Sequence, residues 1–146
     1  MGLAVYPWQE DLARELNDVR ANLPNGLLVY GPKGIGTIDL VIAFAQSLFC
    51  QHPAKDGTPC GECKGCKMAQ AGTHPDLRYV MSEAEALPRG IAFEPPANAS
   101  KDRKIYREIL IHQPRALTEF LNLASHVEGG RRIIVVYPAD AIRADA

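Results

Sequence analysis

Four cysteines fall within seventeen residues: Cys50, then Cys60, Cys63 and Cys66 in a C-x2-C-x2-C run. Two-residue spacing lets neighbouring thiolates turn onto one tetrahedral cation, and a fourth thiolate closes its coordination sphere. Gly57, Gly61 and Gly65, with Pro53 and Pro59, supply the tight backbone such a knuckle needs. A disulfide scaffold would instead spread its cysteines through a small secreted domain. The spacing therefore predicts a structural metal site at Cys50, Cys60, Cys63 and Cys66, with Zn2+ as its ion. A redox pair is the rival chemistry, followed by ordinary buried thiols, and His52 could replace Cys50 as fourth ligand.

A second candidate lies upstream, in Gly31-Pro32-Lys33-Gly34-Ile35-Gly36. A phosphate-binding loop reads G-x4-G-K-[ST] between a strand and a helix, its backbone N–H groups surrounding the phosphates. Gly31 and Gly36 have the right separation, but Thr37 and Ile38 occupy the lysine and hydroxyl positions. Lys33 lies inside the loop and does not restore the lysine, and the Thr37 hydroxyl comes one place early. Gly31, Gly34, Gly36 and Thr37 are the candidate nucleotide contacts of this degenerate loop. The other half of an ATPase site is a buried strand ending in acidic residues that hold magnesium. After residues 133–136 the chain reads Tyr137-Pro138-Ala139-Asp140, and Asp140 is more simply the cap of a final helix. Lysine, metal hydroxyl and metal carboxylate are thus all missing, and phosphoryl transfer depends on such charges. No catalytic residue and no intrinsic ATPase are expected. Nucleotide binding is more easily retained than hydrolysis, because the backbone cradle survives.

The elements that must position these groups can be traced from periodicity. Trp8, Leu12, Leu16, Val19 and Leu23 form one helix face, and Pro24-Asn25-Gly26 ends it. Residues 27–30 are a short continuous apolar run, as expected of a strand covered on both faces. The glycine loop follows, then a helix carrying Leu40, Phe44 and Leu48. Beyond the knuckle, residues 67–71 are a short helical exit and residues 77–81 a second strand. Residues 82–104 hold three prolines and the run Lys101-Asp102-Arg103-Lys104, which predicts a mobile surface loop. Residues 109–111 form a brief strand. Pro114 suits the first turn of a helix bearing Leu117, Phe120, Leu121 and Ala124, stopped by Gly129-Gly130. Residues 133–136 are another buried strand, and residues 139–146 begin a last helix. Strands alternating with helices predict an α/β three-layer sandwich around a mostly parallel sheet.

Composition narrows the setting. The 146 residues suit one ordinary domain, and 16 Lys plus Arg against 17 Asp plus Glu leave a net charge of −1. That balance gives no global attraction to nucleic acid or to an anionic membrane. No apolar run approaches the ~20 residues of a spanning helix. Glu10, Asp11 and Glu15 come too early for a secretory signal. A cytoplasmic protein is expected.

These residues together resemble the N-terminal AAA+ domain of the delta-prime family of bacterial DNA polymerase III clamp-loader subunits. The resemblance is carried by Tyr6-Pro7-Trp8-Gln9, Leu23-Pro24-Asn25-Gly26-Leu27-Leu28, the glycine loop and the four cysteines. Thr73-His74-Pro75-Asp76, Gln113-Pro114-Arg115 and Ala139-Asp140-Ala141 extend it over nearly the whole chain. It implies a P-loop NTPase (AAA+) fold over residues 1–146 with a zinc-binding insertion at 50–66. It also implies partnership with the motor (gamma or tau) subunits and the delta subunit, in a pentamer that opens a sliding clamp and places it on primed DNA. The sequence stops before the family's sensor segment, its Ser-Arg-Cys motif, lid and collar, and so reads as a fragment or a truncated relative.

Other features have plainer explanations. His74-Pro75-Asp76 is turn-forming, and Lys101, Arg103, Lys104 and Arg107 with interleaved Asp102 and Glu108 read as a solvated loop. Tyr6 and Trp8 pin the first helix, with adenine stacking at that edge of the site as the alternative. Two functions of other classes stand as alternatives: an active P-loop NTPase with an atypical loop, and a zinc-dependent nucleic-acid-binding module. The second needs aromatic and basic residues around the cysteines, where Lys55, Lys64 and Lys67 are diluted by Asp56 and Glu62.

Overall fold

A computed structural model describes residues 6–122 and 131–142 of the chain, which form two compact units divided after His74. In the first unit, a single 3-10 turn at Pro7–Gln9 leads into helix α1, Glu10–Val19. Glu10 and Asp11 lie in the first turn of α1, where carboxylates complement the positive end of the helix dipole. Another 3-10 turn, Arg20–Asn22, ends it before Pro24. Helix α2, Thr37–Ser47, packs against α1 through Ala13, Leu16, Leu40 and Phe44. Leu12, Val19, Leu23 and Leu48 surround that core, as the periodicity predicts. Trp8 does not join it: the residue stands before α1, in the 3-10 turn, and is 63% exposed.

Residues 27–30 also depart from expectation. They form no strand, and Leu27, Leu28 and Tyr30 are 47%, 75% and 85% exposed. Val29 alone of the four packs against the helical core. Three of the four side chains are thus exposed, which a string of apolar letters does not reveal. Helix α3, Lys64–Ala71, follows the knuckle and starts three residues earlier than its apolar pattern suggests.

The second unit is built on strands β1, Leu77–Met81, and β2, Ile133–Tyr137, paired in parallel from Leu77↔Ile133 to Met81↔Tyr137. Helices and a parallel sheet are thus combined as expected, with two strands in that sheet among the described residues. Residues 109–111 contribute only an isolated bridge, Ile109 to Ile142. Between the strands run the short helix α4, Glu83–Ala86, a 3-10 turn at Leu87–Arg89, and helix α5, His112–Asn122. Leu77, Val80, Met81, Ala86, Ile109, Leu110, Phe120 and Val135 are the buried apolar side chains among the unit's described residues. Gln113 links α5 to β1, donating from Nε2 to the Met81 carbonyl at 2.6 Å while its Oε1 accepts the Leu110 N–H at 2.9 Å.

The expected mobile loop at 82–104 is instead tied down. The Arg103 guanidinium grips both oxygens of buried Glu83 at 2.6 Å, and Glu83 also accepts the Tyr106 N–H. Ala84 N–H returns a bond to the Tyr106 carbonyl at 2.9 Å. Phe93 meets the rings of Tyr106 and His112. A charge pair twenty residues apart has no periodic signature, so sequence pattern alone missed this anchor. Ala124 and the Gly129-Gly130 helix stop lie outside the described residues. So does the end of the expected last helix, of which Ala139–Ala141 is a 3-10 turn with Asp140 inside it and Pro138 at its cap position.

Candidate metal centre and phosphate loop

The knuckle hangs between α2 and α3. Cys50 follows the last turn of α2, where its N–H bonds the Ser47 carbonyl at 3.1 Å. Cys63 caps the N-terminus of α3, its Sγ accepting the Cys66 N–H at 3.4 Å. Gly65 lets that helix approach the end of α2, since a Cβ there would stand 1.9 Å from the Phe49 carbonyl oxygen. As a result the Sγ atoms of Cys50, Cys60, Cys63 and Cys66 all lie within 4.8 Å of one another. Cys60 and Cys66 are 3.9 Å apart. Four sulfurs at ~2.3 Å from a tetrahedral zinc would be separated by about 3.8 Å, so the cluster has the dimensions of such a site.

Backbone amides surround the sulfurs. Gln51 and Cys66 donate to Cys63, His52 and Cys60 to Cys50, and Glu62 and Cys63 to Cys60, at 3.3–3.5 Å. Each N–H favours the charged thiolate over the thiol. The Gln51 and Cys66 amides bring the Cys63 thiol down to about 6, and the Glu62 and Cys63 amides lower that of Cys60. Burial pushes Cys66 the other way, up to about 12. The donor set fits a cation that displaces the protons and neutralises the sulfurs together. The cysteines are free thiols, and His52 contributes its backbone N–H, the clustered ligand atoms all being sulfur.

The glycine loop is held by side chains of its own chain. Trp8 Nε1–H donates to the Ile35 carbonyl at 2.9 Å. Buried Gln9 donates from Nε2 to the carbonyls of Ile35 and Gly36 at 3.1 and 2.7 Å, and its Oε1 accepts the Tyr6 N–H. The Tyr6 ring stacks on Trp8 at 4.8 Å and covers Gly36 so closely that a Cβ there would lie 2.4 Å from it. Gly36 itself has φ +77, the left-handed conformation from which α2 starts. The Thr37 hydroxyl turns back toward Gly31, and Lys33 is exposed. Tyr6 and Trp8, in the turn that leads directly into α1, thus brace this loop. Gln9, quoted in the sequence only as part of the family resemblance, is its most buried contact. Within the second unit, β2 ends at Tyr137, whose ring faces the Arg89 guanidinium. His74 packs on Phe49, and Pro75-Asp76 is a turn, as expected of that motif, with the Asp76 carbonyl accepting the Ile133 N–H.

Comparison with known proteins follows the same residues. The family described as "DNA polymerase III, delta subunit" matches residues 8–146. DNA polymerase III subunit delta' of Pseudomonas aeruginosa is 37% identical over 142 residues, covering 97% of this chain and 36% of that protein. Its counterpart in Escherichia coli K12 is 37% identical over 80 residues, 53% of this chain and 24% of the relative. DNA polymerase III subunit tau/gamma of Haemophilus influenzae is 39% identical over 66 residues, 45% of this chain and 9% of that protein. The chain therefore spans about a third or less of the length of these relatives.

Proposed function

Because this chain belongs to the DNA polymerase III delta' family, we propose that it serves DNA replication as the non-catalytic stator of a sliding-clamp loader. In this reading it is a rigid body against which ATP-driven subunits move while the clamp is placed on primed DNA. Residues 1–146 constitute an AAA+-type P-loop domain with a zinc-binding insertion at 50–66, held by Cys50, Cys60, Cys63 and Cys66. Its partners are the tau/gamma motor subunits and the delta subunit, in the bacterial cytoplasm; no helix among the described residues is long and apolar enough to cross a membrane.

The observation that carries the proposal is the state of the glycine loop. The sequence withholds the lysine that neutralises phosphate charge, and Trp8 and Gln9 fasten the loop through the carbonyls of Ile35 and Gly36. A loop fixed by its own chain suits a part that stays still. Gly31, Gly34, Gly36 and Thr37 keep the outline of a nucleotide cradle without the charges that make one effective.

Calorimetric titration of the zinc-loaded chain with ATP, with and without magnesium, tests this reading. No saturable heat up to millimolar nucleotide is expected, and no phosphate release. Magnesium-dependent binding in the micromolar range with turnover would overturn the stator role in favour of an active NTPase.

A further inference from the structure

Nine residues separate Cys50 from Cys60, and a loop of that length gives its ends no fixed spacing of its own. One side chain crosses it. Arg20, in the 3-10 turn after α1, donates from Nη1 to the Ser47 carbonyl at 3.1 Å and from Nη2 to the Ser47 hydroxyl at 2.7 Å. The same Nη2 reaches the Gly57 carbonyl at 3.3 Å. Ser47 is fully buried, and its carbonyl also accepts the Cys50 N–H, so Arg20 bonds the atom that sets the direction of the first ligand. On the other side, Gly57 closes the turn that feeds Cys60, through its N–H to Ala54 and the Ala54 N–H to Thr58. Asn17, which accepts from Arg20 Nε, adds a second tie by donating to the Lys55 carbonyl at 2.9 Å. The guanidinium lies over the Phe44 ring, 5.6 Å from its centroid, which holds the fork in place.

We propose that Arg20 is a positioning residue for the metal centre: it ties the arm ending in Cys50 to the arm leading to Cys60, and so fixes how far apart these two ligands stand before the ion binds. The bonds from Arg20 to Ser47 and Gly57 go to the arms of the knuckle and not to the ligand sulfurs. Its planar fork spans two carbonyls and a hydroxyl at once, which a single ammonium group cannot do. The inference rests on the four-cysteine zinc reading.

The experiment measures the rate at which the zinc-loaded full chain loses Zn2+ to an excess chelator, with circular dichroism recorded on each variant. Arg20→Met keeps the apolar stem over Phe44 and removes the fork. It should release zinc about tenfold faster than the parent chain, the size of effect seen when supports around a metal's ligands are lost. Arg20→Lys and Ser47→Ala should fall between the two, and Ser47→Ala gives the answer if Arg20→Met does not fold. Arg14→Met, which removes an exposed α1 arginine paired with Asp11, should leave the rate unchanged. Folded variants at Arg20 and Ser47 that release zinc at the parental rate would overturn the positioning role while leaving the metal site intact. A parent chain that takes up no zinc would instead overturn the metal reading, and the inference with it.

Discussion

At the scale of single residues, the cysteine cluster shows what spacing reveals and what it leaves out. C-x2-C-x2-C with a cysteine ten places upstream is legible because chelation dictates the intervals. The amides that aim at the sulfurs are backbone groups, identical at every position, so nothing in the letters announces them. Cys63 combines both aspects: it is a ligand candidate, it caps α3, and it accepts two N–H bonds. Cys63→Ser should abolish stoichiometric zinc uptake and lower the thermal midpoint by about 10 °C or more, because site occupancy is linked to folding. Calorimetric melts with and without chelator check this, and an unchanged midpoint would remove the structural role. Gly65 makes a sharper steric case. Its replacement by Ala puts a methyl group against the Phe49 carbonyl, a backbone atom with little freedom to yield. Gly65→Ala should cost about 2 kcal/mol or more by denaturant titration, through overpacking rather than loss of a ligand.

Elements were legible where a period was long and one-sided. The α1 and α2 cores follow from such patterns, whereas the strands at 77–81 and 133–136 were read from short apolar runs and the start of α5 from Pro114. The second strand runs to Tyr137 and, against expectation, is only partly covered, with Val135 buried and Val136 40% exposed. Residues 27–30 were misread because four apolar letters carry no information about which faces are covered. The 82–104 segment was misread because its anchor is electrostatic and distant. Glu83 and Arg103 are 6% and 22% exposed at the side chain, and the bidentate bond holds the segment to the start of α4. The Arg103 guanidinium, helped by the Tyr106 N–H, keeps the Glu83 carboxyl below its ordinary value of 4.5. A carboxyl lowered in the folded state adds stability above its unfolded value and loses it as the pH falls. Glu83→Gln should therefore lower the thermal midpoint by about 5 °C at neutral pH. The gap to the parent chain should narrow as the pH falls below the ordinary carboxyl value of 4.5 and vanish once Glu83 is protonated in the folded state. A gap that persists at low pH would show that Glu83 acts by shape, not charge.

At the scale of the whole molecule, kinship carries what geometry cannot. Two parallel strands and a cysteine cluster are compatible with several folds, and the match over residues 8–146 selects one family among them. The absent loop lysine was plain in the sequence, because a single position decides it. The replacement brace was hidden: Gln9 sits among the polar letters of an amphipathic stretch, and only its burial against Ile35 and Gly36 exposes the role. One consequence of that brace concerns light. The chain contains a single tryptophan, and its indole N–H is bonded to a carbonyl of the glycine loop. All indole emission therefore originates beside the loop, from a ring largely open to water. The protein carries its own unlabelled optical gauge: a shift in that one band reports any partner or solute that disturbs the brace.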